Sequence, residues 1–311
     1  MGPDPTTRPW AGAIGGVSPV LAVPFHADGT LDPSGFAAVV DHVVGAGVSS
    51  CLLSGLASEF HKLSDAERDT LAAVLVERTA DRPGFSAICS VTDHATHLAV
   101  ERARYYVACG AGAINVLPPH FLGPSVTSVV EHLHRVLDAV GVPAVVQYAP
   151  AQTGTSLGAD DFAALAADHP NLTAVKVESI PPGPMIAALA ERGVGALVGQ
   201  AGVHLPSAAA AGAIGVQPGC SMVPLYQAMW AAVESGDGEA LAARHAALLP
   251  VISHWMTGVE TIVQAEKTVL ARLGNIESDH CRAPGATLDP YALALVDAAV
   301  AQLRHLTAVS G

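Results

Sequence analysis

The sequence predicts an α/β fold of the (β/α)8 TIM-barrel type with a C-terminal helical extension, and three observations carry that reading. Eight short runs rich in β-branched and apolar residues recur along the chain. Each is followed by a longer stretch with helical periodicity, and no linker-like segment interrupts the alternation. Strands that alternate with helices pair in parallel, and eight such units close into a barrel; a doubly wound open sheet is the architectural alternative. At 311 residues, half of them apolar and 14% charged, the chain has ample material for one large core.

The strand-like runs, in order, are "SPVLAVPF" (18–25), "SSCLLSG" (49–55), "FSAICSV" (85–91), "AINVLPP" (113–119), "AVVQYAP" (144–150), "TAVKVES" (173–179), "GALVGQ" (195–200) and "AIGVQPG" (213–219). Between them lie amphipathic stretches such as "DPSGFAAVVDHVVGAG" and "TSVVEHLHRVLDAVG", with Asp, Ser or Thr near the start and Gly past the end, as helix capping favours. The barrel is expected over 14–230. From 231 to 311, "ESGDGEALAARHAALLPVISHWMT" and the remaining C-terminal stretch read as helices packed on it. The opening "MGPDPTTRPW" lacks the basic start and apolar core of a signal peptide, so 1–13 reads as a flexible tail.

Composition excludes several classes of partner. A formal charge of −13, with 15 basic residues spread thinly, argues against nucleic acid and anionic membranes. No apolar window is long enough to span a bilayer. The five cysteines are odd in number, scattered and free of C-x-x-C spacing, which reads as reduced thiols in a cytoplasmic protein. "DHATH" (93–97) lacks metal-ligand spacing, and the glycine runs "GAGAIN" and "AGAIG" lack dinucleotide spacing, so neither a metal nor another cofactor is expected.

Chemistry on such barrels sits where strands end and βα loops begin. The candidates there are His26, "SGLASEFHKL" with His61, "SVTDHATH", "PPHFLGPS" with His120 and Phe121, "QYAPAQTG", "KVES", "GQAGVH" and "QPGC" with Gln217. Lys176 and Glu178 stand two apart on one strand and so share a face. If Val175 and Val177 point to the helices, both charged side chains point into the lumen. From the residues alone, Lys176 is a catalytic amine or half of a structural ion pair with Glu178.

Six pieces of the chain, "PVLAVPFHADGTLD", "SGLASEFHKLSDAER", "INVLPPHFLGPS", "VPAVVQYAPAQTG", "NLTAVKVES" and "AEKTVLARLGNIESDHCRAP", resemble in order and spacing the dihydrodipicolinate synthase / N-acetylneuraminate lyase superfamily. The resemblance implies a class I aldolase-type barrel, usually a homotetramer, in which a sixth-strand lysine condenses with a 2-oxo acid. Lys176 falls on that position. Desolvation disfavours the charged form of an amine, so an amine on an apolar lumen wall keeps a neutral fraction able to attack a carbonyl.

The sequence departs from the family at the lysine's helpers. Where the family reads Gly-Thr-Thr-Gly-Glu, a loop that holds the substrate carboxylate and relays a proton, this chain reads Gly55-Leu56-Ala57-Ser58-Glu59. The fifth-strand tyrosine is matched by Gln147, with Tyr148 one residue on and therefore facing the opposite side. The tyrosine after the fourth strand is matched by Phe121, and an arginine after the fifth strand by Gln152. Glu178 or His120 is then expected to move the protons, with His61 a further candidate. Gly55, Leu56, Ala57, Ser58, Phe121, Gln147, Tyr148 and Gln217 are expected around the substrate. The resulting expectation is a Schiff-base lyase or aldolase for a 2-oxo acid or related carbonyl compound, assembled as a dimer or tetramer. The alternatives are an imine-forming dehydratase and a non-catalytic or repurposed barrel that binds a ligand.

Overall fold

The structure, a computed structural model, describes residues 14–310 apart from residue 155, so the tail expected over 1–13 lies outside the described residues. Eight strands form one parallel sheet: β1 (Gly16–Val17), β2 (Ser50–Leu53), β3 (Ser86–Val91), β4 (Ala113–Val116), β5 (Ala144–Tyr148), β6 (Leu172–Val177), β7 (Gly195–Val198) and β8 (Gly215–Val216). β1 pairs with β8, and the remaining strands follow in descending order to β2. The ring closes at Val20, which bridges both Leu52 and Gly219. There the Leu52 N–H donates to Pro19 and its carbonyl accepts from Leu21, each at 2.8 Å. This is the expected (β/α)8 barrel. The first ladder lies at Gly16–Val17, just before the run expected at 18–25, in which Val20 and Phe25 make isolated bridges and Pro19 and Pro24 lack backbone donors.

A helix follows each strand: α1 (Pro33–Gly45), α2 (Asp65–Thr79), α3 (Thr96–Cys109), α4 (Val126–Asp138), α5 (Ala159–Asp168), α6 (Gly183–Glu191), α7 (Leu205–Ala210) and α8 (Val223–Glu234). Their starts are written in the sequence. Asp32 accepts from the Gly35 N–H at 2.8 Å, and Ser64 with Glu67 forms a reciprocal capping box. Three further helices complete the chain: α9 (Gly238–Trp255), α10 (Val259–Arg272) and α11 (Pro290–Ser310). No helix among the described residues is long and apolar enough to cross a membrane.

The strand alternation sorts side chains into two cores. Cys51, Leu53, Cys89, Val116, Val146, Val175, Val177 and Val198 face outward into the large core beneath the helices. Inward, Val20, Leu52, Ile88, Ala113, Val145, Ala174 and Leu197 form a separate apolar layer that plugs the lumen. Two residues further along the same strands, the inward positions are Ser90, Asn115, Gln147 and Lys176. The lumen thus changes from an apolar plug to a polar layer within one step of the pleat. All five cysteines are free, and burial pushes the thiols of Cys51, Cys89 and Cys220 upward, away from reactivity.

Candidate active site

β6 delivers Lys176 into the polar layer, with Gln147 of β5 and Leu197 of β7 as its register partners. Lys176 is 3% exposed, and its Nζ lies 3.5 Å from Glu178 Oε1. The other carboxylate oxygen, Oε2, accepts from Gln147 Nε2 at 2.6 Å. Gln147 Oε1 accepts in turn from Asn115 Nδ2 at 3.3 Å, and that same amide donates to Ser90 Oγ at 3.1 Å. A continuous hydrogen-bonded row therefore crosses β3, β4, β5 and the end of β6 and terminates on the carboxylate beside the lysine.

Two local features hold Glu178 in place. Its backbone carbonyl accepts from Gln200 Nε2 at 2.8 Å; Gln200 and its neighbour Ala201 adopt left-handed backbone, φ 53° and 50°, just past β7. Gly199 supplies the space: a Cβ there would sit 2.4 Å from Glu178 Cγ.

Lys176 and Glu178 line a small cavity of about 50 Å³ at the mouth of the barrel. Gln152, Gln200 and Gln217 add polar groups to its wall, while Leu56, Ala57, Val20, Met256, Val259 and Ile262 make the opposite side apolar. At this size it holds about one or two water molecules. Gln217 donates to Ser18 Oγ at 3.3 Å, and its buried Oε1 has no hydrogen-bond partner among the described residues.

The remaining residues named from the sequence are dispersed. Gly55 packs its backbone against Val20, where a Cβ would fall 2.6 Å from a side-chain methyl. Ser58 is fully buried, and its hydroxyl donates to the Leu21 carbonyl at 2.6 Å, which ties the loop to the segment after β1. Tyr148 turns away from the lumen and meets Phe162 edge-on at 5.6 Å. His120 stacks edge-on with His94 at 4.5 Å, and Phe121 is 73% exposed. His61 lies 3.3 Å from Glu260 on the surface, and His26 faces Asp32 and Glu277 at 3.9 Å. The structure brings Lys176, Glu178, Leu56, Ala57 and Gln217 onto one cavity wall with Gln147 bonded to Glu178 behind it, and leaves Gly55, Ser58, His120, Phe121 and Tyr148 off that wall. Among the described residues no cluster of three or more His, Cys, Asp or Glu could hold a metal ion.

Sequence reasoning named Ser90 and Gln200 only as members of the loops "SVTDHATH" and "GQAGVH", and passed over Asn115 and the apolar trio Met256, Val259 and Ile262. Asn115 carries a usable signal: it is a polar residue inside a β-rich run, on the same alternate positions as Ala113. The trio comes from the connection into α10 and from that helix itself, which no strand-based reading reaches.

Comparison with known proteins agrees with this architecture. Residues 13–303 match the model of the dihydrodipicolinate synthetase family. The chain is 32% identical over 267 residues to a 4-hydroxy-tetrahydrodipicolinate synthase of Stenotrophomonas maltophilia, covering 84% of this chain and 88% of that one. It is 30% identical over 294 residues to the Kineococcus radiotolerans enzyme of the same name, covering 93% and 94%. Among solved structures, dihydrodipicolinate synthase from Rhodopseudomonas palustris superposes with a TM-score of 0.85 at 22% identity over 94% of this chain and 98% of that one. YagE, a prophage protein of E. coli K12 solved in complex with pyruvate, gives 0.81 at 23% identity over 93% and 98%.

Proposed function

This chain belongs to the dihydrodipicolinate synthetase family, and from that premise we propose that it is an imine-forming lyase of the aldolase type in which Lys176 condenses with a 2-oxo acid or related carbonyl compound. The observation that carries the reading is the state of Lys176: buried, on a cavity wall, and only loosely paired at 3.5 Å. Its amine attacks the substrate carbonyl, and loss of water from the carbinolamine gives a protonated imine. That cation accepts the electron pair released when a neighbouring bond breaks. Both the loss of water and the later protonation of the enamine carbon need a proton carrier. Glu178 is the one carboxyl on the cavity wall among the described residues, so it takes the role the family gives to hydroxyl groups. The apolar wall of Leu56, Ala57, Met256 and Val259 favours a substrate whose far end is hydrophobic.

Borohydride reduction in the presence of a panel of 2-oxo acids, aldehydes and ketones tests the proposal. A mass adduct on Lys176, absent from Lys176→Arg, is the expected result; no adduct from any member of a broad panel sinks it. A second reading, dehydration through the same imine, draws on Glu178 as a donor to a leaving hydroxyl. NMR of the products separates the two, since two carbon fragments exclude dehydration.

The exposed Phe121 and Leu122 on the loop after β4 favour association of copies into a dimer or tetramer, which light scattering checks. The five free thiols fit a cytoplasmic setting.

A further inference from the structure

We propose that the carbonyl compound taken by Lys176 is a neutral aldehyde or ketone bearing a hydroxyl group, and that the site turns away 2-oxo acids. The inference rests on the reading of Lys176 as an imine-forming amine and narrows the substrate class of that same site.

The first observation is the balance of charge. Lys176 is the one cationic side chain on the cavity wall among the described residues, and Glu178 already stands against it at 3.5 Å. A protonated imine keeps one positive charge in place, so the lysine and its carboxylate stay matched. A 2-oxo acid adds a second carboxylate where there is no second cation. Among the described residues the wall also lacks a hydroxyl side chain, and Leu56 and Ala57 give it hydrocarbon instead. An anion taken out of water without a counter-charge is strongly disfavoured, whereas a neutral carbonyl carries no such penalty.

The second observation is Glu266. Barrels of this kind frequently bind anions with the loop after the eighth strand and the helix start beyond it. Here the chain's own carboxyl takes that place. Glu266, on α10 and 1% exposed, accepts at 2.8 Å from the N–H of Ser221, two residues before α8. It follows Val259 and Ile262, both on the cavity wall, at helical spacing and so on the same face of α10. Gly219 makes the room: it lines the cavity, and a Cβ there would collide with the Glu266 carboxyl. A second acid therefore stands one backbone thickness behind the wall. Burial outweighs the N–H groups of Ser221 and Cys220 and raises its pKa above the ordinary 4.5. An anion seated against Gly219 must force a proton onto Glu266 or face it charge to charge.

The third observation is an unmet acceptor. Gln217 is 2% exposed and lies on the cavity wall, with its Nε2 committed to Ser18 Oγ at 3.3 Å. Its buried Oε1 has no hydrogen-bond partner among the described residues. Such an oxygen takes an O–H donor and repels a carboxylate, which only accepts. A hydroxyl on the substrate satisfies Gln217 where a carboxylate cannot.

The test is cyanoborohydride trapping of the full-length protein with pyruvate, hydroxyacetone and acetone. These probes carry a carboxylate, a hydroxymethyl and a methyl on the same acetyl unit. Each labelling rate is divided by that of free Nα-acetyl-lysine, which removes the carbonyl's intrinsic reactivity. On this scale hydroxyacetone is expected to label Lys176 about tenfold or more faster than pyruvate, with acetone between them. Gln152→Arg, at an exposed position on the wall, supplies the missing cation. In that variant pyruvate labelling is expected to rise about tenfold while hydroxyacetone labelling holds. Pyruvate that labels the parent protein as fast as hydroxyacetone overturns the inference and leaves the imine reading standing. Backbone N–H groups of the Leu56–Ser58 turn would then be holding the carboxylate. A Gln152→Arg variant that lifts both probes alike also overturns it. No label from any probe of this series or the broader panel sinks the imine reading itself, and the inference with it.

Discussion

Two buried lysine–glutamate pairs stand in this barrel, and they are saturated to different degrees. Lys267, on α10, is fully buried and directly contacts Glu59 in the loop after β2. Its ammonium also donates to the His280 carbonyl at 3.0 Å and lies 4.3 Å from the centre of the Phe25 ring. Glu59 is shared with Lys62 at 2.9 Å, which reaches on to Glu260 at 2.6 Å. Lys176, by contrast, has one carboxylate at 3.5 Å, and that carboxylate is already taken at 2.6 Å by an amide. An ammonium has three N–H donors to satisfy. The first pair uses them to fasten a loop to a helix; the second leaves them facing a cavity. Burial alone therefore does not separate the two lysines, and the count of partners does.

The sharpest way to break this distinction is to exchange each lysine for methionine. Lys267→Met takes one of its two lysines from the buried Glu59 and leaves it to Lys62 alone, so stability in urea unfolding is expected to fall by about 3 kcal/mol, the lower end for a broken buried pair. Lys176→Met is expected to shift unfolding by about 1 kcal/mol or less, since Glu178 keeps its Gln147 donor and the thioether fills the same space. Trapping divides the other way: the adduct survives Lys267→Met wherever the protein folds and disappears from Lys176→Met. Equal stability losses in the two variants would erase the contrast.

Glu178→Gln refines it. The isosteric amide removes the proton carrier and leaves the amine, so turnover is expected to fall about 10²–10⁴-fold while borohydride still labels Lys176. Retention of full turnover would transfer the proton work to another group. Smaller in effect is Gly199→Ala, whose methyl would meet Glu178 Cγ at 2.4 Å. Overpacking of this kind costs about 1–3 kcal/mol. Turnover drops with it as the carboxylate is pushed from Lys176, whereas labelling of the lysine persists.

How much of the molecule was legible in the sequence depends on which physical signals are local. The barrel was legible because strand and helix periodicities repeat eight times, and Lys176 and Glu178 were legible because a two-residue spacing on a strand fixes a shared face. The outward turn of Tyr148 obeys the same rule and was anticipated. Distances across strands are set by register, which no single strand states. The Asn115–Gln147–Glu178 row therefore appears only once β4, β5 and β6 are aligned side by side. His120 was named from its loop position and Phe121 from its match to the family's tyrosine after the fourth strand, and a loop's path over the surface is decided by packing rather than by period. Lys267 and Glu59 are 208 residues apart in the chain, and nothing local joins them.

The mildest perturbation probes the edge of the saturated region. Arg282 lies 4.2 Å from the centre of the Phe25 ring, the same ring that Lys267 approaches, and its guanidinium grips both carboxylate oxygens of Glu67. Those bonds, joined by the Ser64 backbone N–H and hydroxyl, outweigh burial and pull Glu67 down from its ordinary 4.5 to about 2. A carboxyl lowered on folding adds stability above its unfolded value and loses that contribution as pH falls toward the folded one. Both partners are partly open to solvent, so the contribution is screened to about 1 kcal/mol. Glu67→Gln is therefore expected to lower stability by about that amount at neutral pH. The gap from the parent protein should narrow as pH drops from 4.5 toward about 2 and close below it. Urea unfolding at a series of pH values reads the gap directly. A gap that stays constant across the window would mean that Glu67 acts through its hydrogen-bonding shape and not its charge, and the ionic character of the saturated region would then reside in Glu59 and its two lysines.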